Sequence, residues 1–384
     1  MFKKFIGLSL VTISVLNADV TTMVKNGSVE GEFRTLYSTT QNKNDTDTFT
    51  TAVGGKLFYK LATYNNFGGG IEFVTTQDVA GLSGESKHRD ETLSSANNNY
   101  STLSQAYISY EKDGTKLVAG RQNIDTPLAD GDDIRMVANS FEAYTLSYKK
   151  DELSFVGGFI TAWQGTDAEL DNGWVSVGEN GMGFGGVTYE NDNYTLNGWF
   201  FSVDGKKDDE TANTTYYVDG SYTLNNITLS AQYLKQAEQD NSGVEAEIFG
   251  LMGEVEVDKL TFGLAYNNSL KQKGKQSFSG FGGGTLFTNM DNTILDGITQ
   301  DRDANSICAT VGYSYNDIDF GYAYGDFKGS NDSAGDDAHI VEQDISVEYT
   351  LFENGVVSGY YTMVDDKNSN NDSNNFRVNF SYNF

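Results

Sequence analysis

The sequence predicts an all-β fold: a single transmembrane antiparallel β-barrel of about 18 strands. Its last stretch alternates without interruption, because successive side chains of a strand point to opposite faces. One face carries Phe376, Val378, Phe380, Tyr382 and Phe384, and the other carries Arg377, Asn379, Ser381 and Asn383. An apolar face toward lipid and a polar face toward a watery lumen explain this pattern. A strand of a soluble sandwich could alternate too, but it would have to bury an aromatic residue beside the terminal carboxylate.

The composition supports the same fold class. The 23 Tyr and 24 Phe favour strands, and a single Pro leaves hydrogen-bonded ladders unbroken. The chain after residue 18 has no apolar run of the length that a transmembrane helix needs. Two soluble domains are the alternative at this length, but no Pro-rich, Ser-rich or charged linker divides the chain, so one domain is favoured.

The amino terminus has the pattern of a secretory signal peptide over residues 1–18. A basic start is followed by the apolar residues 5–16 and by a small residue, Ala18, at the expected cleavage site. A buried amino-terminal helix is the alternative. The pattern predicts export through the Sec pathway and a mature barrel domain of residues 19–384.

Strands and connections follow one rhythm along the mature chain. Apolar and polar side chains alternate in residues 29–37, 260–266 and 318–324 as they do in the last strand. The connections between strands are by turns short and long, and both kinds are polar. This asymmetry is typical of bacterial barrels with short periplasmic turns and long extracellular loops. We therefore expect localisation in the outer membrane, in contact with its lipid and lipopolysaccharide.

Charge and cysteine content exclude several classes of protein. The formal net charge of −28 disfavours nucleic-acid binding. An acidic excess is consistent with soluble loops or with a pore that prefers cations. The single cysteine, Cys308, cannot form an internal disulfide.

Three segments resemble known porins. Residues 120–127, followed by 132–135 and 140–142, resemble the stretch of OprD-type porins that runs from a strand into the third loop, which folds into the pore. Residues 29–37 and 376–384 are similar to the first and last strands of campylobacterial major outer membrane porins. The resemblance implies an 18-stranded barrel, passive diffusion of ions and small hydrophilic solutes, and a homotrimer. OprD-type carboxylate channels carry many basic residues along the lumen, whereas this chain has only six arginines, so carboxylate specificity is not expected.

Two sets of charged residues are predicted to form a constriction. Inward-facing bases on the first, second and last strands would make one basic strip, because barrel closure brings these strands together. The third loop would set its carboxylates against that strip. The predicted strip is Arg34, Lys56, Lys60 and Arg377, with Arg121 and Arg135 at the two ends of the loop, and the acidic set is Asp125, Asp130, Asp132 and Asp133. Alternatively, the bases pair with Glu30 and Glu32 on their own wall, and the loop is solvated at the rim.

Carboxylates on the wall predict a preference for cations, because fixed negative charge raises the local cation concentration. Alternation predicts that Glu30, Glu32, Glu72, Asp219, Glu254, Glu256, Asp319, Asp344 and Glu348 face the lumen.

No cofactor or catalytic site is predicted. His88 and His339 fall in predicted loops outside any nucleophile motif, so we do not expect an enzyme. Acidic loops such as residues 45–47 and 332–337 offer oxygen ligands without the spacing of a calcium-binding loop, and calcium stays a minor alternative. The Gly-rich segment 280–284 lacks a phosphate-binding motif and is interpreted as a flexible loop tip. An outer-membrane adhesin or structural barrel acting through its extracellular loops is the main alternative function.

Overall fold

The computed structural model describes residues 20–205, 210–330, 332–369 and 371–384. The predicted signal peptide of residues 1–18 lies outside these ranges. A short helix α1 (Val20–Lys25) precedes the strands. The strands are β1 (Ser28–Asn42), β2 (Thr48–Tyr64), β3 (Phe67–Asp78), β4 (Asn99–Lys112), β5 (Thr115–Gln122), β6 (Ser140–Lys150), β7 (Leu153–Gln164), β8 (Val175–Ser176), β9 (Gly181–Glu190), β10 (Tyr194–Asp204), β11 (Asn213–Leu224), β12 (Ile227–Glu238), β13 (Ala246–Val257), β14 (Leu260–Ser269), β15 (Asp303–Tyr315), β16 (Ile318–Ser330), β17 (Ala338–Phe352), β18 (Gly355–Asp366) and β19 (Ser373–Asn383).

The strands form one closed antiparallel sheet. Each long strand pairs with its neighbours in the chain, and β7 pairs directly with β9. The two-residue β8 adds only a short pairing to β7, so 18 strands make up the barrel wall. The predicted fold class and strand number are therefore confirmed.

The last strand closes the barrel against the first. The pairing of β19 with β1 runs from Glu32 opposite Asn383 to Asn42 opposite Ser373. At its end Gly31 and Phe384 exchange two backbone hydrogen bonds, of 2.9 and 3.0 Å. Among the described residues, closure leaves the 18-stranded wall without an edge strand, which is required where no water can satisfy backbone groups.

Side chains alternate between the two surfaces of the wall as predicted. Exposed apolar side chains cover the outer surface all round the barrel, whereas the inner surface is mainly polar. The outward set includes Phe33, Leu57, Ile71, Leu146, Phe200, Leu251, Leu264, Phe320, Ile345 and Phe376. Among the residues described, no helix is long and apolar enough to cross a membrane.

Tight turns lie at one end of the barrel and long loops at the other. The turn between β2 and β3 holds Asn65 and Asn66 at φ of 49° and 70°, which is the left-handed conformation that tight hairpins require. The long loops leave from the opposite end. The third loop (residues 123–139) and the seventh loop (residues 270–302) fold back into the barrel.

Three buried apolar clusters hold these two loops inside the barrel. Ile124 and Leu128 of the third loop pack with Phe141 and Phe201 of the wall. The third cluster, which includes Leu36 and Val74 of the wall, receives Met136 and Val137 from the same loop. The seventh loop contributes Leu286, Leu295 and Ile298 to a cluster with Tyr217 and Phe327. The predicted folding of the third loop into the barrel is thus confirmed, and the same folding of the seventh loop was not predicted.

Candidate functional site

The third and seventh loops meet inside the barrel. The amide of Asp130 donates to the carbonyl of Phe281 over 3.1 Å, and the amide of Phe281 donates to the carbonyl of Leu128 over 2.8 Å. The Phe281 ring packs edge-on against Trp163, with 5.4 Å between the centroids. Phe281 is buried, so the interpretation of segment 280–284 as a flexible loop tip was wrong. A phenylalanine among glycines was the sequence signal for a packed segment, since a solvated tip needs no large apolar side chain.

The third loop is tied to the barrel wall by Asp133. Its two carboxylate oxygens contact the Arg34 guanidinium and the Lys56 ammonium, each over 2.8 Å. Arg34 also donates to the carbonyl of Arg135. Glu32 lies 2.8 Å from Arg34 and 3.0 Å from Lys56, so the same bases pair with a carboxylate of their own wall. The two alternatives from the sequence, pairing across the lumen and pairing along the wall, are present together.

This four-charge cluster, Glu32, Arg34, Lys56 and Asp133, keeps the loop carboxylate ionised. Burial acts to raise the pKa of Asp133, but attraction to Arg34 and then to Lys56 outweighs it, so the pKa lies below its ordinary value. Asp133 therefore stays charged at neutral pH, and the tie between loop and wall stays intact.

The seventh loop is tied to the same wall by Asp291. Its carboxylate pairs with the Arg377 guanidinium, which is nearly fully buried. The next residue, Asn292, donates its amide to the Glu342 carboxylate over 2.9 Å. Burial first, and then repulsion from Asp344, raises the pKa of Asp291, while Arg135 acts to lower it. Neither Asp291 nor Glu342 was predicted, although alternation with Asp344 already placed Glu342 on the inward face.

Three contacts therefore close a ring around part of the lumen. The wall formed by β19, β1 and β2 holds the third loop through Arg34 and Lys56, and it holds the seventh loop through Arg377. The two loops hold each other at Phe281. We call this ring the eyelet. Arg135 is close enough to both Asp132 and Asp291 to offset part of the rise in their pKa values, and its Nη1 is buried without a partner among the residues described.

A second acidic group brings Asp130 and Asp132 of the third loop close to Asp167 of the following long loop. The Asp132 amide donates to Asp130 Oδ1 over 3.0 Å, and Asn139 donates to Asp167 over 2.6 Å. Burial first, and then repulsion from Asp167 and Asp130, raises the pKa of Asp132 to about 6. This carboxylate therefore changes charge near neutral pH.

Water-sized space remains on both sides of the third loop. One cavity of about 290 Å³ separates the loop from the wall at Glu32, Lys56 and Glu72. Another of about 260 Å³ lies on the other side, where Asp125 and Asp130 face Trp199 and Asp219. Asp125 is exposed and, like Asp130, borders both spaces. The predicted acidic set thus lines the inside of the barrel rather than its rim.

Two of the predicted bases lie away from this cluster. Lys60 is exposed and sits opposite Ser28, near the end of the barrel that carries the tight turns. Arg121 shares the outward face of β5 with Leu117, because the two are an even number of residues apart. It pairs there with Glu142 over 3.0 Å and stacks on Trp174, so its assignment to the constriction was wrong.

The predicted lumen acids occupy the inward face of their strands. Each neighbours outward apolar residues in its own strand, and the registers keep this parity around the sheet. The set is Glu30, Glu32, Glu72, Asp219, Glu254, Glu256, Asp319, Asp344 and Glu348. Within the part of the chain that the structure describes, no group of three His, Cys, Asp or Glu fits a metal ion.

Comparison with known proteins identifies the fold. No family model and no curated protein sequence matches the chain. Among solved structures, the chain is similar to OccAB4 of Acinetobacter baumannii, with a TM-score of 0.78, 17% identity, and coverage of 93% of this chain and 98% of that one. It is also similar to OccK9 (OpdG) of Pseudomonas aeruginosa, with a TM-score of 0.78, 16% identity, and coverage of 94% and 99%. A third similar structure is OpdK of P. aeruginosa, solved with vanillate. It has a TM-score of 0.74 and 17% identity, with coverage of 94% of this chain and 99% of that one. The chain therefore has the barrel fold of these proteins over nearly its whole described length.

Proposed function

We propose that the protein is an outer-membrane porin through which ions and small hydrophilic solutes diffuse passively. The observation that carries the proposal is the eyelet: two loops fold into an 18-stranded barrel and are fixed by charge to one wall. Inward loops that narrow a barrel while leaving polar space beside them are a means of limiting solute size. The apolar outer surface supports a location in the membrane.

The charge of the lining favours cations. Arg34 and Lys56 are matched by Glu32 and Asp133, and Arg377 is matched by Asp291. Other carboxylates inside the barrel, such as Asp125 and Asp219, border a cavity that no Lys or Arg of the described residues lines. Unmatched negative charge on a water-filled wall attracts cations and repels anions.

The same balance argues against a carboxylate as the natural solute. OpdK was solved with vanillate, a carboxylate. Arg34, Lys56 and Arg377 each pair with a carboxylate of the eyelet, so little net positive charge remains there to attract a carboxylate solute. We infer that neutral and cationic polar solutes pass more readily than anionic ones of equal size.

Conductance in a planar lipid bilayer tests the proposal. The refolded barrel should produce discrete, ohmic current steps in potassium chloride. Stable insertion without current steps would contradict the porin function. Such a result, together with binding to surfaces through the long loops, would support the adhesin instead.

A further inference from the structure

Arg121 lies on the outer surface of the barrel, where a charge needs an explanation. A charged side chain facing hydrocarbon is costly, and near the membrane surface it is normally paired with polar headgroups. β5 ends at Gln122, one residue after Arg121, and continues into a long loop. Arg121 therefore lies at the end of β5 that carries the long loop, the end that faces the membrane surface in a barrel of this kind.

A groove leads along the outer surface to Arg121. Its columns of outward side chains are apolar toward the tight turns and become polar toward the long loops. The columns are Leu117, Ala119 and Arg121 on β5, Leu146, Tyr144 and Glu142 on β6, and Gly157, Phe159 and Thr161 on β7. The groove is thus amphipathic along its length.

Small residues give the groove its depth. Ala119 and Gly157 leave space between larger neighbours, and the apolar half encloses about 530 Å³. The polar half encloses about 330 Å³ around Arg121 and Glu142, and Tyr144 borders both halves. An elongated apolar group can therefore lie in the lower half while a polar group attached to it reaches Arg121.

The Arg121 side chain is held in place while part of it stays open. Its Nε donates to Glu142 over 3.0 Å, its Nη1 donates to the Leu103 carbonyl over 3.3 Å, and Trp174 covers one face at 4.3 Å. The side chain is 31% exposed. A guanidinium has five N–H donors in a planar fork, so donors remain for a second anion.

We propose that this groove binds a phosphorylated membrane lipid, with its phosphate on Arg121 and an acyl chain in the apolar half. Arg fits phosphate because two parallel N–H groups match two phosphate oxygens. The lower half, lined by Ile108, Leu146 and Phe159, matches a hydrocarbon chain. The proposal rests on the membrane location proposed above but not on conduction.

Binding is measured with the refolded barrel in a nonionic detergent, using tryptophan fluorescence, since Trp174 contacts Arg121. Three probes are compared: dioleoyl phosphatidic acid, dioleoylglycerol and inorganic phosphate. Phosphatidic acid should give a saturable change at a lower concentration than either of the other two. Arg121→Gln should weaken that binding roughly tenfold, through the loss of charge-assisted hydrogen bonds. Lys150→Gln, at the opposite end of the outward face of β6, is the matched control and should change nothing.

A second variant separates recognition from folding. Glu142→Gln removes the carboxylate that competes for Arg121, so it should tighten the binding of phosphatidic acid. If the Arg121–Glu142 pair only supports the fold, no tightening is expected.

Equal binding of dioleoylglycerol, or unchanged binding by Arg121→Gln, would overturn the proposal. Binding of inorganic phosphate alone at equal strength would show a free anion site instead. A change in oligomer mass in Arg121→Gln without any effect on lipid binding would assign the groove to a second copy of the chain. The conductance of Arg121→Gln should be unchanged. The lipid-binding proposal and the porin proposal can therefore fail independently of each other.

Discussion

Arg34 on the barrel wall and Asp133 on the third loop form a 2.8 Å ion pair although they are 99 positions apart in the chain. Lys56 contacts the second oxygen of the same carboxylate. The side chain of Asp133 is 42% exposed, so solvent screening limits this tie to about 1 kcal/mol. A tie of that strength positions a loop without making a large contribution to the stability of the barrel.

Replacing Asp133 by Asn should loosen the third loop. The carboxylate that holds both Arg34 and Lys56 is lost, and the loop then samples positions farther from the wall. We expect larger and noisier single-channel conductance, with little change in the thermal unfolding midpoint. Asp125→Asn is the control, because it removes one exposed carboxylate of the same loop without breaking the tie. Equal conductance of the two variants would show that the contacts of Asp133 do not hold the third loop in position.

Replacing Arg377 by Ser should affect stability more strongly. Arg377 and Asp291 are both largely buried, with side chains 5% and 16% exposed. Removing one partner of such a pair leaves an uncompensated buried charge and costs about 3 kcal/mol. The temperature at which the folded barrel loses its faster electrophoretic migration should therefore fall. Lys43→Ser, which removes an exposed pair with Asp372, should leave that temperature unchanged.

Cation preference should depend on pH through Asp132. Burial and the neighbouring Asp167 and Asp130 raise its pKa to about 6, so it loses its charge as the pH falls from 7 to 5. The potassium-to-chloride permeability ratio should fall over this range. Asp132→Asn should reduce that change, and an unaltered pH dependence in this variant would assign it to another group.

The same group has a stability effect of known sign. The native pKa lies above the ordinary value, so the native state binds the proton more tightly than the unfolded chain. Its contribution to the free energy of unfolding is fully present below the ordinary pKa and is lost as the pH rises through about 6.

Replacing Phe281 by Ala should separate the two loops. Phe281 is buried where the third and seventh loops meet, and truncating a buried Phe costs about 3 kcal/mol or more. We expect frequent transitions between conductance levels, because each loop is then held by its wall contact alone. Leu82→Ala, at an exposed loop position, should leave single-level currents. Steady currents in Phe281→Ala would show that the contact between the loops does not fix the eyelet.

Periodicity made the wall of the barrel predictable. A strand has a period of two, so Phe376 and Arg377 had to face opposite sides, and closure placed Arg377 beside β1. Alternation also brought Arg34 and Lys56 together, since they lie on neighbouring strands near Glu32. These inferences need only local sequence and one closed topology.

The loops were less predictable, because no repeating pattern fixes where an irregular segment packs. The partner of Arg377 is Asp291, which lies in a loop whose path depends on buried contacts such as that of Leu295. Arg121 was assigned to the lumen from its closeness to the third loop, whereas parity with Leu117 places it outside. Alternation within β5 is by itself sufficient to predict this outward position.

The reversal potential in a potassium chloride gradient tests the central claim most directly. The barrel is inserted in a neutral lipid bilayer, and the potassium chloride concentrations on the two sides are unequal but both low, because screening is weakest at low salt. A cation-preferring channel gives a reversal potential whose sign corresponds to potassium flow down its gradient, and this potential shrinks as salt is raised. A reversal potential of the opposite sign at low salt, showing chloride as the preferred ion, would contradict the account.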